Sequence, residues 1–112
     1  MSSVSRELVA ASAQMIILSI LSQDENYGYQ ILQRIKSLTE GIWIWKDGML
    51  YPLLHKMEKE KLIESYWLDS ESGKKRKYYF ITKNGIQALQ LGKKEWKFVD
   101  ATLNKLWGMQ SC

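Results

Sequence analysis

The chain has one cysteine, one proline and one histidine, and each scarcity removes a class of protein. Cys112, the last residue, allows no intrachain disulfide and no cysteine-built zinc site, and a frayed thiol is expected there. With one proline and seven glycines there is no Pro/Gly-rich linker to divide the chain. His55 stands between Leu54 and Lys56 without a partner at ligand or general-base spacing. No G-x-G-x-x-G, Walker or G-x-S-x-G loop occurs, and Glu58, Glu60 and Glu64 look like solvated charges. The expectation is a protein that is not an enzyme and uses neither metal nor cofactor. The longest apolar stretch, Leu8 to Leu21, is broken by Ser12, Gln14 and Ser19. It is shorter than the ~20 residues of a membrane span. Met1 to Arg6 lacks a secretory n-region, so a cytoplasmic protein off the membrane is expected.

What is present suits one small globular domain. The chain has 112 residues, 46% hydrophobic and 25% charged, with 16 Lys+Arg against 12 Asp+Glu. The resulting charge of +4 favours a polyanionic partner where it is clustered. Ser5 to about Ser22 reads as a helix apolar on nearly every side, with Leu8, Ala11, Met15 and Leu18 in one stripe. Such a helix must be covered all round, and a second copy of the chain is the expected cover. The line Leu8, Ser12, Met15, Ser19, Ser22 mixes apolar, thioether and hydroxyl groups, which suits a semi-polar cavity. Asp24-Glu25-Asn26 reads as a turn and N-cap before a helix over Tyr27 to Leu38. Ile42-Trp43-Ile44-Trp45 has no clear period, and its rings are placed neither inside nor outside.

Asp47 is expected to cap a third helix, Gly48 to Lys61. On a helical wheel Leu50, Leu53, Leu54 and Met57 share one side. Gly48, Pro52, His55, Lys56 and Lys59 share the other, with Pro52 near the end of the first turn, where a missing N–H costs least. A β-hairpin follows, Ile63 to Asp69 and Arg76 to Thr82, turning at Ser70-Glu71-Ser72-Gly73. Lys74, Lys75, Arg76 and Lys77 place four consecutive cations at its tip and returning strand. Thr82 caps a last helix running to about Trp107. A heptad places Leu89, Trp96 and Leu103 at one seam position and Gly92, Val99 and Leu106 at the other.

Three helices, a hairpin, a basic third helix and a basic hairpin tip form the layout of a winged helix-turn-helix. The third helix fits a major groove of about 12 Å and the wing cations reach neighbouring phosphates. The predicted fold class is α+β, a winged helix-turn-helix with a long C-terminal dimerisation helix. Residues 1–82 form the DNA-binding domain, including the N-terminal helix, and residues 83–112 the dimerisation helix. The predicted DNA-facing set is Tyr27, Tyr29, Lys46, Gly48, Met49, Tyr51, Pro52, His55, Lys56 and Lys59, with Lys74, Lys75, Arg76 and Lys77.

The stretches Tyr27-Gly28-Tyr29-Gln30-Ile31, Asp47 to Leu54, Met57 to Ile63 and Gly73 to Gly85 resemble the PadR family of bacterial transcriptional regulators. The family's Gly-Thr-Leu-Tyr-Pro pattern is matched at Gly48, Leu50, Tyr51 and Pro52, with Met49 in place of threonine. That departure bears on operator contacts rather than on the fold. The resemblance covers about residues 8 to 107, and the short chain looks like the small multidrug-responsive branch. It implies a homodimer on a double-stranded operator, repression, and release by a planar aromatic effector that is often cationic. In that branch an aromatic residue of the last helix stacks the effector beside its symmetry mate, and Trp96 stands at that position. The implied pocket is Leu8, Ser12, Met15, Ser19, Trp96, Val99 and Asp100, with Asp100 holding a cation. The implied dimer seam is Leu8, Ala11, Met15, Leu89, Gly92, Trp96, Val99, Leu103 and Leu106. An indole at such a seam serves equally as plain dimer core.

Two other functions compete. A protein-interaction module with no ligand response would bind its partner without salt dependence, whereas DNA affinity falls steeply with salt. RNA binding would need an exposed aromatic platform on a sheet, and Tyr78 and Tyr79 point to opposite sides of one strand.

Overall fold

A computed structural model describes residues 5–108, so Cys112 lies outside the described residues. The elements run α1 (Arg6–Gln23), β1 (Asn26–Tyr27), α2 (Gly28–Leu38), α3 (Asp47–Lys59), β2 (Ile63–Asp69), β3 (Lys75–Ile81) and α4 (Lys83–Leu106). Ser5 caps α1 by accepting the Leu8 N–H, and Thr82 caps α4 by accepting that of Gly85. The α+β winged-helix architecture with a long last helix is the one expected.

α1 is the central post. Ala13, Ile17, Leu18, Ile20 and Leu21 are buried, and Ile31, Ile35, Leu50, Leu54, Met57, Ile63, Tyr79 and Leu89 complete the core around them. At its N-terminal end the helix is open, with Leu8 and Ala11 exposed. The third helix buries Leu50, Leu54 and Met57 as its periodicity requires. It starts one residue earlier than expected and ends two residues earlier, at Lys59. Lys61 takes a left-handed conformation (φ 63), while the Leu62 N–H reaches the Met57 carbonyl and the Lys61 N–H that of Glu58. This double closure stops the helix. The earlier start moves Pro52 into the second turn, not the first. There it cannot donate to the Gly48 carbonyl, on the exposed side of the helix.

Asn26, expected as the end of a turn and N-cap, and Tyr27, expected as the first helical residue, form a short strand instead. Asn26 pairs with Tyr79 and Tyr27 with Tyr78, so the sheet has the order β1-β3-β2. Tyr27 is the N-cap of α2, and its N–H donates to the Gln30 side chain at 3.3 Å. The pairing is tertiary: two residues gain strand geometry only because β3 lies beside them. The two rings left unplaced by the sequence are settled by packing. Trp45 is 7% exposed and Trp43 half-buried, nearly parallel to it at 6.0 Å.

β2 and β3 form the wing, in register with Tyr66 opposite Tyr78 and Trp67 opposite Lys77. The turn closes through Gly73 N–H to the Ser70 carbonyl and Ser70 N–H to that of Lys74. α4 spans 24 residues, about 36 Å. Leu89 and Gly92 in its first half are buried, and the exposed residues past Gly92 include Phe98, Val99, Leu106 and Trp107. No described helix is long and apolar enough to cross a membrane.

Candidate nucleic-acid interface and interhelical cavity

The exposed side of α3 and the wing enclose a cavity of about 590 Å³. Tyr27, Tyr29, Tyr51, His55, Lys75, Arg76 and Lys77 line it, joined by Gly28, Trp67 and Tyr79. No acidic side chain is among them. The Tyr51 ring lies directly over Gly28, where a Cβ would overlap its hydroxyl, so a glycine is what lets α2 approach α3. Burial, with the Asp47 carboxylate adding to it, raises the Tyr51 phenol above its ordinary value. Burial pushes Tyr79 up to about 12, with smaller contributions from Glu58 and Tyr51. Gly48, Pro52, Lys56 and Lys59 are exposed along the same helix, and Lys46 is exposed at its N-cap.

Two parts of the expected DNA-facing set are placed differently. Met49 is half-buried against the core rather than on the exposed face. The four wing cations are not one block, because strand alternation divides them. Arg76 shares a face with Tyr78 and lies 4.5 Å over the Tyr27 ring. Lys77 turns to the other face and pairs with Glu58 at 3.5 Å, where the Ser65 hydroxyl also donates at 2.5 Å. Among the described residues, no carboxylate pairs in this way with Lys74 or Lys75. The side of the sheet carrying Tyr78 also holds rings outside the set that the sequence singles out. Tyr66 stacks on Tyr78 at 5.9 Å, with Tyr27 and Phe80 beside them. The Tyr66 hydroxyl donates to Glu25, the main reason its phenol is raised above its ordinary value. Trp67, also outside that set, lines the cavity and lies opposite Lys77 in the wing register.

A second cavity, of about 480 Å³, opens between α1 and α4 and is bordered by α2. Ser12, Met15, Ser19 and Trp96 of the implied pocket meet there, with Ile16, Ile20, Gln23, Arg34, Leu38, Lys93 and Lys97. Leu8, Val99 and Asp100 are not among the lining residues. The charged side chains on this wall are Arg34, Lys93 and Lys97. Asp100 meets the Asn104 amide at 3.5 Å, and Arg34 donates to Gln23 at 2.6 Å. Ser12 and Ser19 donate back to the Leu8 and Met15 carbonyls, which leaves the walls largely apolar. Two residues of the expected dimer seam are internal. Leu89 is 3% exposed, and Gly92 lies under the Met15 thioether, where any Cβ would overlap Sδ.

A winged-helix body with a basic recognition face defines a DNA-binding transcriptional regulator. A profile of the transcriptional regulator PadR-like family matches residues 17–91, and the chain belongs to that family. It is 36% identical over 93 residues to an uncharacterised protein X of Lysinibacillus sphaericus, covering 83% of this chain and 85% of that one. It is 30% identical over 87 residues to the transcriptional regulator YqjI of Escherichia coli, but spans only 40% of that longer protein. Among solved structures, a PadR-like transcriptional regulator from Bacillus cereus has a TM-score of 0.80 at 38% identity, covering 93% of this chain and 99% of that one. A transcriptional regulator from Clostridium thermocellum has 0.80 at 32% identity, covering 88% and 96%. The family consists of non-enzymatic DNA-binding regulators.

Proposed function

We propose that this chain is a dimeric repressor of the small multidrug-responsive branch, released by a planar aromatic effector bound between α1 and α4. The cavity joining Ser12, Met15, Ser19 and Trp96 is the observation that carries the effector. Its size falls within the range of small-molecule sites, and Trp96, 39% exposed, offers an uncovered indole face. Arg34, Lys93 and Lys97 around an apolar floor favour an aromatic compound with an acidic substituent over a cation.

Dimerisation is supported by apolar area the chain leaves uncovered: Leu8 on α1, and Phe98, Val99 and Leu106 on α4, the last 75% exposed. A two-fold pair built there would carry two α3 helices, to be set about 34 Å apart for successive major grooves. In this reading residues 1–82 bind DNA and residues 83–112 join the copies. α3 presents Gly48, Pro52, His55, Lys56 and Lys59 to base edges and phosphates, while Lys74 and Lys75 serve the backbone. A cytoplasmic setting follows from action on the chromosome. Release is a population shift, which requires the effector to bind two α1–α4 arrangements with different affinity.

The test is tryptophan fluorescence against matched anionic and cationic planar aromatics of one skeleton, wild type beside Trp96→Phe, with upstream DNA as competitor. Saturable quenching by the anionic member, lost in the variant and opposed by DNA, is expected. Preference for the cation would refute the charge assignment. Quenching unchanged in Trp96→Phe would leave Trp96 as dimer core.

A further inference from the structure

Trp67 has no role in the fold that accounts for it. Along one face of β2, Ile63 is fully buried and Ser65 half-buried against Glu58, but Trp67 is 62% exposed. The strand has by then left the core, and the indole stands at the mouth of the cavity between wing and α3. Its neighbours there include Tyr29, Tyr51, His55, Lys75 and Lys77. An occupant of this space meets several cations, no carboxylate, and a broad apolar ring. A duplex strand has that chemistry, with phosphates separated by the apolar faces of deoxyribose.

We propose that the Trp67 indole packs on deoxyribose of the DNA strand that runs between α3 and the wing, beside a phosphate held by Lys75. The proposal rests on the DNA-facing reading of this cavity. The contact is apolar and releases no counterion, so it adds affinity that salt does not remove. It also fixes how deep the wing sits and thereby the register of α3.

Its test separates the indole from the charges. The full chain is titrated into a labelled duplex from upstream of its own gene at four or more salt concentrations, as wild type, Trp67→Ala and Lys75→Ala. Trp67→Ala is expected to weaken binding about tenfold per half-site at every salt, with a parallel log–log line. Lys75→Ala is expected to flatten the line by about 0.9 per half-site. Bound duplex should also shield Trp67 from acrylamide, seen as protection present in wild type and missing in Trp67→Phe.

Affinity within twofold of wild type, or no protection, overturns the proposal. A flattened slope in Trp67→Ala overturns it too, since the ring would then only arrange the cations. A change in oligomer size in Trp67→Ala would assign the indole to a protein contact instead. Failure of the wild type to bind the duplex at all would overturn the interface reading itself, and that result needs no variant.

Discussion

Gly92 offers a sharp check on how α4 is held. A glycine inside an exposed helix costs about 1 kcal/mol relative to alanine, so Gly92→Ala should ordinarily stabilise. Here the new Cβ would overlap Met15 Sδ, with Cε close behind. Methionine is flexible, so the thioether can swing into the cavity it borders, at the lower end of the usual overpacking cost, about 1–2 kcal/mol. The gain and the penalty then nearly cancel in wild type. In a Met15→Ala background the obstacle is gone, and the same substitution should stabilise by about 1 kcal/mol. The double-mutant cycle therefore carries about 1–2 kcal/mol of coupling between two residues 77 positions apart in sequence. Urea unfolding at fixed protein concentration measures the cycle, and sedimentation velocity reports the oligomeric state in parallel. Equal stabilisation in both backgrounds would refute the intrachain contact. A shift in dimer dissociation without coupling to Met15 would return Gly92 to the seam between copies.

Among the wing cations, Lys74→Ala should flatten the salt dependence of DNA binding by about 0.9 per half-site. Lys77→Ala should leave the slope nearly unchanged, because Lys77 already faces Glu58; equal slopes for the two variants would refute the division of the wing. Alkaline pH tests Tyr79, whose phenol is pushed from 10.0 up to about 12. The unfolded chain loses that proton first, so the stability Tyr79 contributes is intact below pH 10 and drains away as pH rises toward 12. Tyr79→Phe should therefore lose less stability than wild type between about pH 9 and 11.5 in urea titrations. Parallel pH profiles would show that burial does not hold the phenol neutral.

Local pattern makes most of this molecule legible in its sequence. The Leu50, Leu54, Met57 stripe, the hairpin and the Thr82 cap each depend on neighbours within a few residues, and each stands where periodicity or turn chemistry puts it. What is not legible depends on which surface a segment meets. Asn26 and Tyr27 are a strand only because β3 supplies a partner. Trp43 and Trp45 have no internal period, and Trp45 is inside because the core closes over it. The wing sits between these cases. Its alternation is present in the sequence, yet four adjacent cations read as one patch until register sets Arg76 over Tyr27 and Lys77 against Glu58.

The heptad on α4 is ambiguous for a deeper reason. A seven-residue stripe states that one face of a helix is covered, and it is silent about whose side chains cover it. Gly92 is covered by Met15 of the chain's own α1 and Leu89 is buried in the chain's own core, whereas Val99 and Leu106 further along the same stripe are exposed. Trp96 falls at the changeover, on the wall of the cavity. An effector bound there, as proposed, would touch both the part of α4 packed on its own domain and the exposed part beyond it. On the proposed effector reading, a small molecule there would bias the angle between the domain and a partner copy.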